Sequence, residues 1–183
     1  GTTTNSTIDD AAGNTLTTLN LSGNGAAHTF DVSNSEGVKT VTMTGDQDVT
    51  MIITSAAVDA LTNNQLTVTD STTAGTTTVD LAGVGANAVD TSTIGADVIE
   101  ISAANTGTIL TASGQTLTLS ADQTTFALDG SDTGAASNTA TWILDDGVTT
   151  ANATVDIANS LTLTDLSAVT IDVSKDSFTT TGF

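Results

Sequence analysis

Apolar and polar residues alternate along most of the chain. The clearest stretches are residues 16–23 (LTTLNLSG), 38–45 (VKTVTMTG), 49–55 (VTMIITS) and 76–83 (TTTVDLAG). A period of two is the signature of a β-strand with one buried face, and loops rich in Gly, Asn, Asp and Ser separate the stretches. The pattern therefore predicts an all-β chain.

The same alternation continues outside these four stretches. It predicts further strands at residues 28–33, 65–70, 97–103, 108–113, 115–121, 125–130, 139–146, 153–158, 161–166 and 168–174. Residues 55–64 (SAAVDALTNN) differ, because they combine good helix formers with a Ser at the N-cap position. A helix of a couple of turns is the alternative for that segment.

Two of the strands are near copies. Leu19, Leu21 and Gly23 match Val41, Met43 and Gly45, 22 residues further on. We expect the alternate apolar residues to pack inward and the glycine to turn the corner. The stretch at residues 76–83 carries the pattern a third time, with a Gly again at its end.

Repeats of about 20 residues predict a parallel β-solenoid, in which each coil buries its apolar face against its neighbours. A β-sandwich is the alternative, since it also has short strands at close spacing. The likeness of the strands, the small residues in the turns and an aromatic content of only 3% favour the solenoid. We expect one β-rich domain over residues 1–183, as a fragment or processed part of a longer surface protein.

The charge narrows the choice of partners. The chain has 21 Asp and Glu residues against 2 Lys, Lys39 and Lys175, and a formal net charge of −19. Such a surface repels phosphate backbones and anionic membranes, so we expect no nucleic-acid binding. The sequence has no apolar run near 18 residues, so we expect no membrane insertion. It attracts divalent cations, and Ca²⁺ suits sites made of carboxylate, amide and carbonyl oxygens. A solvated acidic surface without bound metal is the alternative.

Several Asp residues lie close together in predicted turns. The first cluster (GDQD) places Asp46 and Asp48 two residues apart, which puts them on the same face of an extended segment. Two further clusters contain Asp129 and Asp132 in LDGSDTG, and Asp145 and Asp146 in LDDG. These residues are candidate Ca²⁺ ligands, although Asp also favours turns without a metal, through its own hydrogen bonds to the backbone.

Groups for catalysis are scarce. There is no Cys and no Arg, and His28 is the single histidine. A lone histidine beside a strand is more often structural or exposed than catalytic, so we predict that the protein is not an enzyme. Threonine is the most frequent residue type, and Thr-x-Thr pairs such as TMT and TLT are a feature of ice-binding surfaces. Their irregular spacing makes ice binding the less favoured alternative.

In composition and in phrases such as LTTLNLSGNG, VKTVTMTGD, TTTVDLAGVGA and ADVIEISA, the chain resembles Gram-negative surface-layer (S-layer) proteins of the type I-secreted, RTX-related group. The resemblance implies a stacked solenoid, a two-dimensional lattice and Ca²⁺ that supports folding and lattice contacts. The RTX nonapeptide does not occur intact; in GADVIEIS, Gly95, Asp97 and Ile99 match its second half, which makes Asp97 a further candidate Ca²⁺ ligand.

These observations predict a structural, self-assembling protein of the bacterial cell surface, an S-layer lattice or extracellular filament subunit that depends on Ca²⁺. Its partners would be further copies of itself or cell-surface polysaccharide. An adhesin or binding module of a large exported protein is the alternative function.

Overall fold

The computed structural model places many short parallel strands on top of one another. It describes residues 3–10, 15–54, 66–83, 89–91, 93–102, 108–110, 116–119, 123–129, 141–144, 151–156 and 169–172.

Sixteen strands form in the described residues, where no helix is found. They are β1 (Thr4–Asp9), β2 (Thr18–Gly23), β3 (His28–Asn34), β4 (Thr40–Gly45), β5 (Val49–Thr54), β6 (Thr67–Thr72), β7 (Thr77–Gly83), β8 (Val89–Asp90), β9 (Ile94–Gly95), β10 (Val98–Ile101), β11 (Thr108–Leu110), β12 (Thr116–Leu119), β13 (Gln123–Asp129), β14 (Thr141–Leu144), β15 (Ala151–Asp156) and β16 (Val169–Asp172).

The strands assemble into three parallel sheets. The first sheet has the order β1-β3-β5-β7-β10-β12-β14, the second β2-β4-β6-β9 and the third β16-β15-β13-β11-β8. Through the first seven strands the chain alternates between the first and second sheets, and each strand pairs in parallel with the one a full coil away. This is a β-solenoid, so the predicted fold class is confirmed and the β-sandwich alternative is wrong.

The two near-identical strands lie directly against each other. Leu19 pairs with Val41, Leu21 with Met43 and Gly23 with Gly45. The apolar members of these pairs are buried, with Leu21, Val41 and Met43 almost completely so. The predicted inward packing of the repeat is confirmed.

The core lies between the first and second sheets. Beside the residues of β2 and β4 it contains Val49, Met51 and Ile53 of β5, Val79 and Leu81 of β7, and Ile99 and Ile101 of β10. Fully burying such a side chain stabilises the fold by about 1.5–3 kcal/mol. Aliphatic residues at every second position therefore supply the core that the scarce aromatics do not.

The third copy of the repeat lies elsewhere. Residues 77–83 form β7 of the first sheet, between β5 and β10. The strand that follows β4 in the second sheet is β6, where Val41 pairs with Val68 and Met43 with Asp70. The third copy therefore does not continue the column of the first two, because the same alternation occurs in strands of either sheet.

Most predicted strands are present with shifted ends, whereas β1, β8 and β9 were not anticipated from the alternation. The candidate helix at residues 55–64 and the candidate strand at 161–166 lie outside the described residues. Among the described residues, no helix has the length and apolar character needed to cross a membrane.

Candidate cation site at a stacked corner

Residues 46–48 form the corner between β4 and β5. Gly45 enters it with φ of +118°, in a region that side chains rarely adopt. The amides of Asp46 and Gln47 donate to the carbonyl oxygen of Gly23, at 3.2 and 2.9 Å. On the other side, the amide of Thr73 donates to the carbonyl oxygen of Gly45 at 2.8 Å. Corners of three successive coils therefore stack through backbone hydrogen bonds.

The two carboxylates of the corner connect it to both neighbouring coils. Asp46 Oδ1 accepts the amide of Gly25 at 3.2 Å, and Asp48 Oδ1 accepts the amide of Thr76 at 2.8 Å. Gly25 belongs to the preceding coil and Thr76 to the following one. Each exposed Asp thus provides a hydrogen-bond acceptor for a backbone amide that lies between strands, outside the strand ladders.

The same carboxylates are suited to a cation only in part. A carboxylate has two oxygens and about four lone-pair sites, so a hydrogen bond to one oxygen leaves capacity for a metal. Ca²⁺ takes roughly 6–8 oxygen ligands, however, and two carboxylates are too few. No group of three or more potential ligands among His, Cys, Asp and Glu occurs in the described residues. Ca²⁺ binding by Asp46 and Asp48 stays a prediction that needs further ligands.

A second pair of carboxylates meets at a buried hydroxyl. Thr77 is completely buried, and its Oγ1 lies 3.1 Å from Asp70 Oδ2 and 3.1 Å from Asp97 Oδ2. The amide of Asp97 donates to Thr77 Oγ1 at 3.0 Å, and Asp97 Oδ2 accepts the amide of Thr77 at 2.9 Å. Because a hydroxyl has a single proton, Thr77 donates to one carboxylate at a time.

Asp70 was not among the predicted site residues. Burial raises its pKa, but hydrogen bonds from the amide and hydroxyl of Thr72 and the hydroxyl of Thr77 outweigh that effect and hold the pKa of Asp70 below its ordinary value. What marks Asp70 as part of the site is its position in the strand pairing of β4 and β6, where Asp70 lies opposite the buried Met43. An acidic residue in a core-facing column must be hydrogen-bonded, which identifies it as part of a polar cluster.

Two acidic residues also lie side by side on the outer face of the first sheet. Asp80 of β7 pairs with Glu100 of β10, and Ser102 Oγ donates to Asp80 Oδ1 at 2.5 Å. Burial, and then the negative charge of Glu100, raise the pKa of Asp80 despite the hydrogen bonds from Ser102. The two carboxylates therefore repel each other, and the hydrogen bonds from Ser102 offset the rise in the pKa of Asp80 only in part.

The remaining candidates are placed only in part. Asp129 ends β13, but its side chain lies outside the described residues, as do Asp132, Asp145 and Asp146 altogether. The ring of His28 stacks on that of Phe30 with 4.9 Å between centroids, and its Nδ1 lies 3.0 Å from Thr4 Oγ1. His28 thus makes packing and hydrogen-bond contacts of a structural kind.

Comparison with known proteins gives no relative from which a role can be transferred. The sequence matches no family model and no curated protein, and the fold matches no solved structure.

Proposed function

We propose that this protein is a structural, self-assembling subunit of an extracellular lattice or filament, with Ca²⁺ bridging carboxylates of neighbouring copies. An S-layer on a bacterial cell surface is the assembly that the sequence resemblance favours. The observation that carries the proposal is the parallel ladder of the first sheet, in which each coil adds one strand to the strand before it, as a strand of another copy would.

Strand β1 has only part of the usual protection of an edge strand, because Asp9 and the register shift after Thr7 both lie at its C-terminal end. Natural edge strands are blocked by charged residues, Pro, a β-bulge or a covering element. This chain has no Pro and 2 Lys, and β1 itself reads TNSTID with mostly exposed side chains. A strand of a second copy that docks here would continue the parallel ladder.

The net charge of −19 opposes such an assembly. Identical acidic subunits repel one another, and two Lys cannot neutralise the carboxylates. Asp46 and Asp48 are exposed at a corner, where carboxylates from a second copy would complete the oxygen ligands that Ca²⁺ requires. Divalent cations would then both relieve the repulsion and fix the contact.

The experiment is dynamic light scattering together with electron microscopy. The full chain is compared in Ca²⁺, in chelator, and in NaCl of matched ionic strength, because general screening alone would act in both salts. We expect sheets or fibres in Ca²⁺ that dissolve on chelation, and small particles in NaCl. A monomer under all three conditions contradicts the proposal and agrees with the adhesin alternative.

A pair of variants tests the corner itself. Asp48→Asn removes one charge from the corner and keeps an acceptor for the amide of Thr76, whereas Glu36→Gln removes the same charge from another exposed turn. We expect Asp48→Asn to raise the Ca²⁺ concentration needed for assembly at least several-fold and Glu36→Gln to change it little. Equal shifts in both variants would mean that only total charge matters.

A further inference from the structure

The outer face of the second sheet presents an ordered array of small polar side chains. Residues two apart on one strand point to the same face, and parallel partners on adjacent strands share it. Leu19 and Leu21 point into the core, so their alternate neighbours point outward. The array consists of Thr18, Asn20 and Ser22 on β2, Thr40, Thr42 and Thr44 on β4, and Thr67, Thr69 and Ser71 on β6.

The pairing puts these nine residues in rows and columns. Thr18, Thr40 and Thr67 form one column across the strands, and the other two columns follow the same register. Neighbours within a column are about 4.8 Å apart and neighbours along a strand about 6.7 Å. Both repeats lie close to oxygen–oxygen repeats in the lattice planes of hexagonal ice.

The register holds although the coils differ in length. Thr40 follows Thr18 by 22 residues and Thr67 follows Thr40 by 27, yet each pair is in direct register. The extra residues fall outside the paired strands. The irregular spacing along the sequence, which made ice binding the less favoured alternative, therefore does not prevent a regular array.

Two features limit the movement of these side chains: buried residues on the opposite side of the same strands, and the restricted χ1 torsion of threonine. Leu21 and Met43, on the opposite side of the same strands, are almost completely buried. Threonine has a restricted χ1, so its hydroxyl and methyl groups keep fixed positions in a strand. Thr44 Oγ1 additionally donates to the carbonyl oxygen of Leu21 at 3.3 Å. The positions of these hydroxyl and methyl groups are therefore largely fixed before any ligand binds.

None of the nine side chains is charged or aromatic, in a chain of net charge −19. An ionic partner finds no opposite charge there, and a sugar ring finds no aromatic face on which to stack. A neutral lattice of hydrogen-bonding groups complements this surface best. We propose that the outer face of β2, β4 and β6 is an ice-binding surface, a function separate from assembly.

The array has a defined limit. At the next strand, β9, Gly95 pairs with Thr69 and provides no side chain to extend its column. The face is therefore three coils deep in the described residues, which suits inhibition of ice recrystallisation and weak shaping of crystals rather than strong depression of freezing.

The test compares the full chain with two lysine variants. Thr42→Lys places a long charged side chain at the centre of the array, and Thr50→Lys places the same side chain on the outer face of the first sheet. Thr40→Lys, at an exposed site in the array, serves if Thr42→Lys does not fold by circular dichroism. Ice recrystallisation inhibition and thermal hysteresis are measured in chelator, so that any assembly through Ca²⁺ does not contribute.

We expect the wild type and Thr50→Lys to inhibit ice recrystallisation. Thr42→Lys should inhibit it no more than an unrelated acidic protein in the same buffer does. An inactive wild type, or equal loss in both lysine variants, overturns the proposal. Binding to crystalline polysaccharide, or a changed sedimentation coefficient, with no effect on ice would identify another occupant of the face and overturn it as well.

Discussion

Gly45 lies directly against Gly23, with no space for a side chain between the two coils. A Cβ added to Gly45 would be 2.6 Å from the carbonyl oxygen of Gly23 and 2.7 Å from its carbonyl carbon. The pairing of these glycines at the end of β2 and β4 closes the corner on which Asp46 and Asp48 are placed. The repeated Gly is thus a requirement of close stacking.

Gly45→Ala should strongly destabilise the solenoid. The substitution combines an unfavourable backbone conformation at φ of +118° with a contact too short for any real Cβ. Strain of this kind costs about 1–3 kcal/mol, and overpacking adds a similar amount. We expect the free energy of unfolding to fall by at least about 2 kcal/mol in urea denaturation.

Gly25→Ala is the matched control. Gly25 also has positive φ, at +76°, but a Cβ there would meet nothing within 4 Å. It should lose only the conformational term, about 1–2 kcal/mol. If the two variants lose the same free energy, close packing of Gly45 on Gly23 is not what the corner requires.

The alternation of apolar residues was enough to predict the fold class and the stacking of the first two repeats. It did not predict which sheet a strand joins, because Val79 and Leu81 of β7 show the same pattern as Leu19 and Leu21 of β2. That choice depends on the lengths of the loops and on how each coil closes. The strand β9 is only two residues long and gives no periodic signal.

The Asp content of residues 46–48 is enough to predict the corner as a candidate site, but the sequence does not predict which groups its carboxylates contact. Asp46 and Asp48 bond to amides 21 and 28 residues away. Such partners follow from the register of whole coils, which varies with coil length. The meeting of Asp70, Thr77 and Asp97 has the same origin, and only Asp97 was proposed from the sequence.

Thr77→Val should destabilise the fold although it preserves the shape of the side chain. The variant removes the acceptor for the amide of Asp97 and the donor shared by two carboxylates. An unsatisfied buried polar group costs about 1–3 kcal/mol. We expect a loss in this range by denaturant unfolding at pH 7, against less than about 0.5 kcal/mol for Thr50→Val on the outer face.

The loss in Thr77→Val should also depend on pH. The pKa of Asp70 is lower in the folded state, so Asp70 contributes stability above its unfolded pKa of about 3.9, and this is lost as pH falls through the folded value. The hydroxyl of Thr77 supports that lowering. The difference between wild type and variant should therefore narrow between pH 5 and pH 2, and a constant difference would contradict this role.

Asp80→Asn should stabilise the protein at neutral pH. The folded pKa of Asp80 is raised by burial and by Glu100, so its contribution is fully present below the unfolded pKa of about 3.9 and is lost as pH rises through the folded value. At pH 7 the charged carboxylate of Asp80 destabilises the folded wild type. The Asn variant has no charge at this position and still accepts the hydrogen bond from Ser102. Since the group is half-exposed, we expect a gain of up to about 1 kcal/mol at pH 7.

Glu100→Gln separates the two causes of the raised pKa. Glu100→Gln removes the neighbouring charge and leaves Asp80 as buried as before. It should therefore lower the pKa of Asp80 only part of the way back to its ordinary value. NMR titration of the Asp80 carboxyl measures that pKa directly, and thermal unfolding at pH 3 and pH 7 measures its consequence. Because burial is the larger cause, Asp80→Asn should stabilise the fold at pH 7 more than Glu100→Gln does. A variant Asp80→Asn that gains as much stability at pH 3 as at pH 7 would show that its effect does not come from the ionised carboxylate.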